Sequence, residues 1–149
     1  MSNWRRVDES DLAATLSQGE IDAFRQDASL DGSDPVARLL SRTVAMVRGY
    51  IATNGKVRCI GPSGTLPESL ISPAMDYAAA DVLKRLAAPL SEDRRKARER
   101  AEDLFRDVGA GKYTPESDDA DDTASTDGPA IEVVCTVRDR VSAAKLEGL

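Results

Sequence analysis

The strongest helix signal in the chain lies in residues 34–55, which read DPVARLLSRTVAMVRGYIATNG. Asp34 is a typical N-cap residue. Pro35 falls at the first helical position, where a backbone N–H has no acceptor within the helix, so proline loses no hydrogen bond there. Asn54-Gly55 is a usual C-terminal stop. Between them, one face follows the i, i+3, i+4, i+7 spacing of a buried helical stripe: Val36, Leu39, Leu40, Thr43, Val47, Tyr50 and Ile51. We therefore predict a long helix that packs on a core.

The opposite face of this predicted helix is polar and carries three arginines. Arg38, Arg42 and Arg48 fall there together with small side chains. Such a face is most often plain solvated surface, but a row of arginines also suits contacts with acidic groups of another chain. We take these three residues as candidate subunit-interface residues.

Helical signals continue on both sides of this segment. Upstream, Asp8 and Asp11 predict a capped helix over 7–16, and Ser17 with Glu20 repeats the capping signature before a helix that ends near Ala28. Downstream, glycines and prolines predict a loop over 56–66 and one helical turn over 67–71. An Ala-rich central helix then follows over 73–88, and a Ser91-capped helix ends before Gly109. The fold class is mainly α, a small bundle of about five helices.

The composition changes after Tyr113. Residues 1–113 form the predicted helical domain, whereas residues 114–130 are acidic and poor in apolar side chains, which predicts a flexible linker. Residues 131–149 then begin with a run rich in β-branched side chains, which predicts an extended or β C-terminal arm. An isolated strand is unstable, so the arm is expected to fold back on the helices or to bind a partner or neighbouring copy. The candidate partner-contact residues of the arm are Ile131, Val133, Val134, Val137, Arg138 and Arg140.

Composition argues against catalysis and against general nucleic-acid binding. The chain has no histidine, which removes Ser-His and Cys-His nucleophile pairs and most zinc sites. Its net charge of −6 does not suit sequence-independent DNA binding. Cys59 and Cys135 are expected as free thiols, and no signal peptide or membrane-spanning run is evident. We therefore predict a protein-binding role without enzymatic activity, cofactor, metal or membrane contact, in a cytoplasm-like setting.

Three motifs that could suggest a ligand site are better explained by a structural role. Residues 61–65, Gly-Pro-Ser-Gly-Thr, lack the lysine of a phosphate-binding loop and predict an exposed loop. The basic residues of 94–100 alternate with acidic ones, which predicts a salt-bridged helix face. The carboxylates of 116–127 do not have the spacing of a calcium-binding loop.

The order of elements resembles a family of viral structural proteins. A helix ending in Val47-Arg48-Gly49-Tyr50-Ile51-Ala52 precedes a Gly/Pro loop and Leu66-Pro67-Glu68-Ser69-Leu70. The Ala-rich helix leads to Pro89-Leu90-Ser91-Glu92-Asp93-Arg94-Arg95, and the last helix ends in Val108-Gly109-Ala110-Gly111-Lys112. Over about 8–113 this pattern resembles the head-tail connector, adaptor or head-completion proteins of tailed bacteriophages, including the small Mu-like group. The acidic linker and arm depart from the shorter members.

The resemblance implies a structural role in the virion neck, in a particle made in the cytoplasm of a host bacterium. Such proteins form a ring, commonly dodecameric, under the portal protein, extend the DNA channel and dock the next neck or tail-completion protein. DNA would pass through without specific binding, as an acidic lumen favours. The alternative is a free-standing helical regulatory or protein-interaction module, which predicts a stable monomer or dimer in place of a ring.

Overall fold

The computed structural model describes residues 3–28 and 32–118 and is mainly helical there. Five α-helices and two short strands follow one another in these residues: β1 (Trp4–Arg6), α1 (Glu9–Ala13), α2 (Gln18–Ala28), α3 (Pro35–Thr53), β2 (Thr65–Pro67), α4 (Glu68–Arg85) and α5 (Glu92–Gly109). The predicted fold class, a small helical bundle, is confirmed for this part of the chain. The predicted arm at 131–149 lies outside the described residues.

Helices α1, α3 and α5 begin at the cap residues that the sequence predicts. The Asp8 carboxylate accepts the Ser10 N–H at 3.0 Å, and Asp11 in turn accepts the Asp8 N–H at 3.0 Å, which completes a capping box. Asp34 accepts the Val36 N–H, and Ser91 Oγ accepts the Arg94 N–H. These side chains satisfy N–H groups that the helices leave without internal partners.

Helix α4 is longer than the sequence predicts. It runs without a break from Glu68 to Arg85 and contains Pro73, where we predicted a new helix to start. Proline removes only one helical hydrogen bond, to the carbonyl of residue 69. Burial of the surrounding residues, including Leu70, Ile71 and Ala74, offsets that loss, so tertiary packing overrides the local stop signal.

The core surrounds α4, as the small residues of that helix predict. Ala74, Ala78 and Ala79 are each at most 2% exposed, and α4 packs against all four other helices. Small side chains allow this close approach, while Phe105 and the leucines fill the remaining space. The Ala-rich helix is therefore the central element.

A two-stranded antiparallel sheet was not predicted. Strand β1 pairs with β2 in the register Trp4 to Pro67 and Arg6 to Thr65. The Asn3 carbonyl also accepts the Glu68 N–H at 2.9 Å, which ties the N-terminus to the start of α4. The N-terminal residues are therefore part of the fold, although their sequence is polar and charged.

Residues 113–118 are packed on the domain. Asn54 Nδ2 donates to the Tyr113 carbonyl at 2.9 Å, and the Asp118 N–H donates to the Cys59 carbonyl at 3.0 Å. Pro115 is buried, and residues up to Asp118 belong to one compact unit with the helices. The predicted linker boundary at residue 114 is therefore too early, because acidic composition does not reveal these backbone contacts. Residues 119–130 of the predicted linker lie outside the described residues.

The prediction of a free thiol at Cys59 is wrong. Cys59 is disulfide-bonded, and the structure shows no free cysteine among the residues it describes. Cys135, for which a free thiol was also predicted, lies outside those residues.

The Asp11 carboxylate makes the fold sensitive to acid. Hydrogen bonding to Arg5, at 2.6 Å from its Nη2, lowers the pKa of Asp11 below the usual 3.8. A carboxyl pKa that is lower in the folded state adds stability above the unfolded pKa, and that stability is lost as the pH falls through the folded pKa. We expect Asp11→Asn to be less stable than wild type at neutral pH and to lose less stability on acidification below about pH 4.

Urea unfolding followed by circular dichroism at several pH values measures this difference. Glu99→Gln is a matched control, since Glu99 makes only a 3.9 Å surface pair with Arg95. Equal acid sensitivity of Asp11→Asn and wild type would contradict the assigned role of Asp11.

Candidate interaction surfaces

The exposed face of α3 carries two of the three predicted arginines. Arg38 and Arg42 both lie in solvent, and the side chain of Arg42 is 82% exposed. The Arg42 guanidinium lies 4.0 Å from the Asp81 carboxylate, which is a weak surface contact. Both side chains lie on the surface, which is where helical spacing places them.

Arg48 is engaged inside the fold, so its predicted exposure is wrong. Its guanidinium donates to three backbone carbonyls, those of Gly61 at 2.8 Å, Pro62 at 2.9 Å and Thr65 at 2.8 Å. It also lies 5.6 Å from the centre of the Trp4 ring. Partial burial lowers the pKa of Arg48, but an arginine side chain stays charged at neutral pH. Arg48 therefore fixes the loop 61–65 to α3.

Trp4 occupies the centre of the same cluster. Its side chain is 6% exposed, and its indole Nε1 donates to the Glu116 carbonyl at 2.8 Å. Gly61 lies directly against the ring: a Cβ at this position would be 2.7 Å from Trp4 Cε3. We refer to Trp4, Arg48, the loop 61–65 and Glu116 as the Trp4 cluster. Gly61, the first glycine of the Gly-Pro-Ser-Gly-Thr motif, thus allows close packing against Trp4. The motif is a structural loop.

A groove runs along α3 beside the Trp4 cluster. It has a volume of about 740 Å³, and three of its lining residues on α3 are the small Ala37, Ser41 and Ala45. Other lining residues come from the N-terminal segment 6–9 and from residues 63–64 of the loop. Their charges are mixed, with Arg6 and Arg48 but also Asp8, Glu9 and Asp34. A groove of this kind suits a polar segment of another protein better than an apolar ligand.

A second, apolar depression lies between the C-terminal parts of α3 and α5. Its volume is about 480 Å³, and its lining residues are Met46, Gly49, Tyr50, Thr53, Arg106 and Gly109. We refer to this surface as the Tyr50 patch. The Tyr50 ring is 36% exposed and stacks on Phe105 with 6.1 Å between ring centroids.

The exposed face of α5 carries alternating ion pairs, as its sequence predicts. Lys96 pairs with Glu92 at 2.8 Å, and Arg106 pairs with Asp103 at 2.7 Å. Arg98 binds Glu102 at 2.9 Å, and this hydrogen bond raises the pKa of Arg98. Because both signs of charge alternate, this face is not a basic footprint for DNA.

The candidate partner-contact residues of the arm lie outside the described residues: Ile131, Val133, Val134, Val137, Arg138 and Arg140. Within residues 3–28 and 32–118, the structure brings together no group of three His, Cys, Asp or Glu side chains suited to a metal ion. No helix in that part of the chain has the length and apolar character needed to cross a membrane.

Comparison with known proteins does not assign a family. No family model matches the chain, and neither curated proteins nor solved structures give a significant match.

Sequence reasoning missed the Trp4 cluster and the Tyr50 patch. The single tryptophan of the chain, near a polar N-terminus, was a usable signal, because a large aromatic side chain is usually buried. The patch had a weaker signal. Gly49 lies within one apolar helical stripe and Gly109 directly follows another, and a glycine on a helix often marks close approach to a neighbour.

Proposed function

We propose that this chain is a head-tail connector of the virion neck. In this proposal it forms a ring, dodecameric as the resemblance implies, between the portal protein and the next neck or tail-completion protein. Neighbouring copies contact one another around the ring, and DNA passes through the lumen without specific binding. The site of action is the virion neck, after synthesis in the cytoplasm of the host bacterium.

The observation that carries the proposal is the position of the resembling segments in one helical unit. Residues 47–52 form the end of α3, and Leu66-Pro67 forms β2 and leads directly into α4. Ser91 caps α5, and Gly111 follows its C-terminus with a φ of +71°. Three of the four segments quoted for the resemblance thus span a boundary between elements, and the fourth, 47–52, lies in the last part of α3.

The surfaces support a ring, because a ring needs two different complementary faces on each copy. Helix α3 offers Arg38 and Arg42 beside a groove with small residues. Helix α5 offers exposed carboxylates, Glu92, Asp93 and Glu99, of which Glu92 and Glu99 also pair with Lys96 and Arg95 of the same helix. Pairing of the α3 arginines with carboxylates of the next copy gives a heterologous contact of the kind that closes rings.

The mass of the full-length protein in solution tests the proposal. Light scattering after size exclusion is measured for the protein alone and for its mixture with the portal protein encoded beside it. We expect a small species that becomes a ring-sized assembly on the portal. A protein that stays monomeric and does not bind the portal would overturn the connector proposal and favour the regulatory module.

A further inference from the structure

Residues 113–118, which we refer to as the strap, contact the Trp4 cluster and contain no helix or strand. At the first residue of the strap, the Tyr113 carbonyl accepts a hydrogen bond from Asn54 Nδ2 at 2.9 Å. At its last residue, the Asp118 N–H donates to the Cys59 carbonyl at 3.0 Å. The strap is therefore fixed at both ends, to the C-terminus of α3 and to the loop that follows it.

The middle of the strap closes against Trp4. The Glu116 carbonyl accepts the indole N–H of Trp4 at 2.8 Å. The carboxylate of the same residue accepts a hydrogen bond from Ser69 Oγ, on α4, at 2.6 Å. With the strap in place, Trp4 is only 6% exposed. Glu116 thus shields the indole with its backbone and attaches the strap to α4 with its side chain.

The strap buries little apolar surface of its own. Within 113–118, Pro115 is buried, whereas Tyr113 and Thr114 are exposed and the last three residues are partly buried. The strap is thus held mainly by hydrogen bonds, and each of these contributes only modest net stability because water replaces the partner on opening. A segment with few buried apolar contacts opens at a lower free-energy cost than the core. We therefore expect the strap to open more readily than the helices.

We infer that the strap opens as a local unit while the helices stay folded, and that its opening exposes Trp4. Opening removes the carbonyl that accepts the indole N–H, whereas the contacts of Trp4 with Gly61 and Arg48 do not involve the strap. Trp4 is the single tryptophan of the chain. The strap therefore controls when this large aromatic side chain is accessible to solvent or to a partner. This inference does not rest on ring assembly.

Hydrogen exchange of the full-length protein, followed by NMR at several low urea concentrations, tests local opening. The Asp118 amide and the Trp4 indole N–H report on the strap, because both hydrogen bonds break when it opens. The amide of Leu83, which is 1% exposed in α4, reports on the helices. No reductant is added, so that the disulfide of Cys59 is retained.

We expect the two strap protons to be protected from exchange, but with protection factors at least about 100-fold below that of the Leu83 amide. Their exchange should also depend less on urea, because local opening exposes much less surface than unfolding does. Equal protection and equal urea dependence of the Asp118 and Leu83 amides would overturn the inference, since the strap would then open only when the helices unfold.

A serine substitution tests whether strap opening and Trp4 exposure are one event. Ser69→Ala removes the hydrogen bond to the Glu116 carboxylate. Ser72→Ala is the matched control, because Ser72 is exposed on the same helix, one turn further along. We expect Ser69→Ala to lower the protection of the Asp118 amide and of the indole N–H together, by about tenfold, as expected for one hydrogen bond to a charged group.

The Leu83 amide is expected to keep its wild-type protection in Ser69→Ala, and Ser72→Ala to leave all three protons unchanged. An indole N–H that keeps its wild-type protection in Ser69→Ala, while the Asp118 amide exchanges faster, would overturn the inference. Trp4 would then be covered independently of the strap.

Discussion

Replacement of Trp4 by alanine is expected to lower the free energy of unfolding by about 3–5 kcal/mol, the range for removal of a buried tryptophan or phenylalanine side chain. Trp4 is 6% exposed and contacts Gly61 directly, so the truncation leaves a cavity between the loop 61–65 and the sheet. It also removes the indole donor to the Glu116 carbonyl. Chemical unfolding followed by circular dichroism measures the change without relying on tryptophan fluorescence.

Trp4→Phe is the matched variant, because it keeps most of the apolar volume but removes the indole N–H. We expect a loss of about 1–2 kcal/mol for this change, from a smaller cavity and an unsatisfied carbonyl. A loss below about 1 kcal/mol for Trp4→Ala would show that the N-terminal strand does not belong to the cooperative fold.

Local signals were sufficient to predict most of the helices. Asp8, Ser17, Asp34 and Ser91 each combine a capping side chain with a following amphipathic stretch, and caps act within a few residues of sequence. Pro73 shows where local reasoning fails. Its cost is local, but the compensating burial of α4 comes from residues that are distant in the chain.

The strands and the packed segment 113–118 were not predictable in the same way. Strand β1 has three residues and pairs with residues 65–67, so neither strand shows a repeated alternation that a sequence pattern could reveal. Segment 113–118 is held mainly through backbone groups, such as the Tyr113 carbonyl and the Asp118 N–H. Backbone donors and acceptors are common to nearly all residues, so the sequence does not distinguish them.

The candidate site was predictable only as a set of arginines on one helix face. Helical spacing correctly places Arg38 and Arg42 on the surface. It does not place Arg48, whose position depends on where the loop 61–65 crosses α3. The sequence gives no distance between that loop and the helix, so an arginine that holds the fold together has the same pattern as one that is free to bind a partner.

Paired substitutions of Arg48 and Arg42 separate these two roles. We expect Arg48→Met to lower the free energy of unfolding by about 2–4 kcal/mol, because three carbonyls, two of them in partly buried hydrogen bonds, lose a charged donor. Arg42→Met is expected to change it by less than about 0.5 kcal/mol, since its side chain is 82% exposed and its ion pair is long. Urea unfolding of both variants, each with the same loss of charge, measures the difference.

For assembly with the portal we expect the opposite order of effects, with Arg42→Met the more harmful of the two substitutions. If the α3 face is a subunit contact, Arg42→Met reduces the ring-sized species seen by light scattering although the variant is as stable as wild type. Arg95→Met is the control for loss of one exposed charge, because Arg95 lies on the ion-paired face of α5. Assembly that is equally efficient in wild type, Arg42→Met and Arg95→Met would remove α3 from the proposed interface. A large stability loss for Arg42→Met would instead mean that this arginine, like Arg48, belongs to the fold.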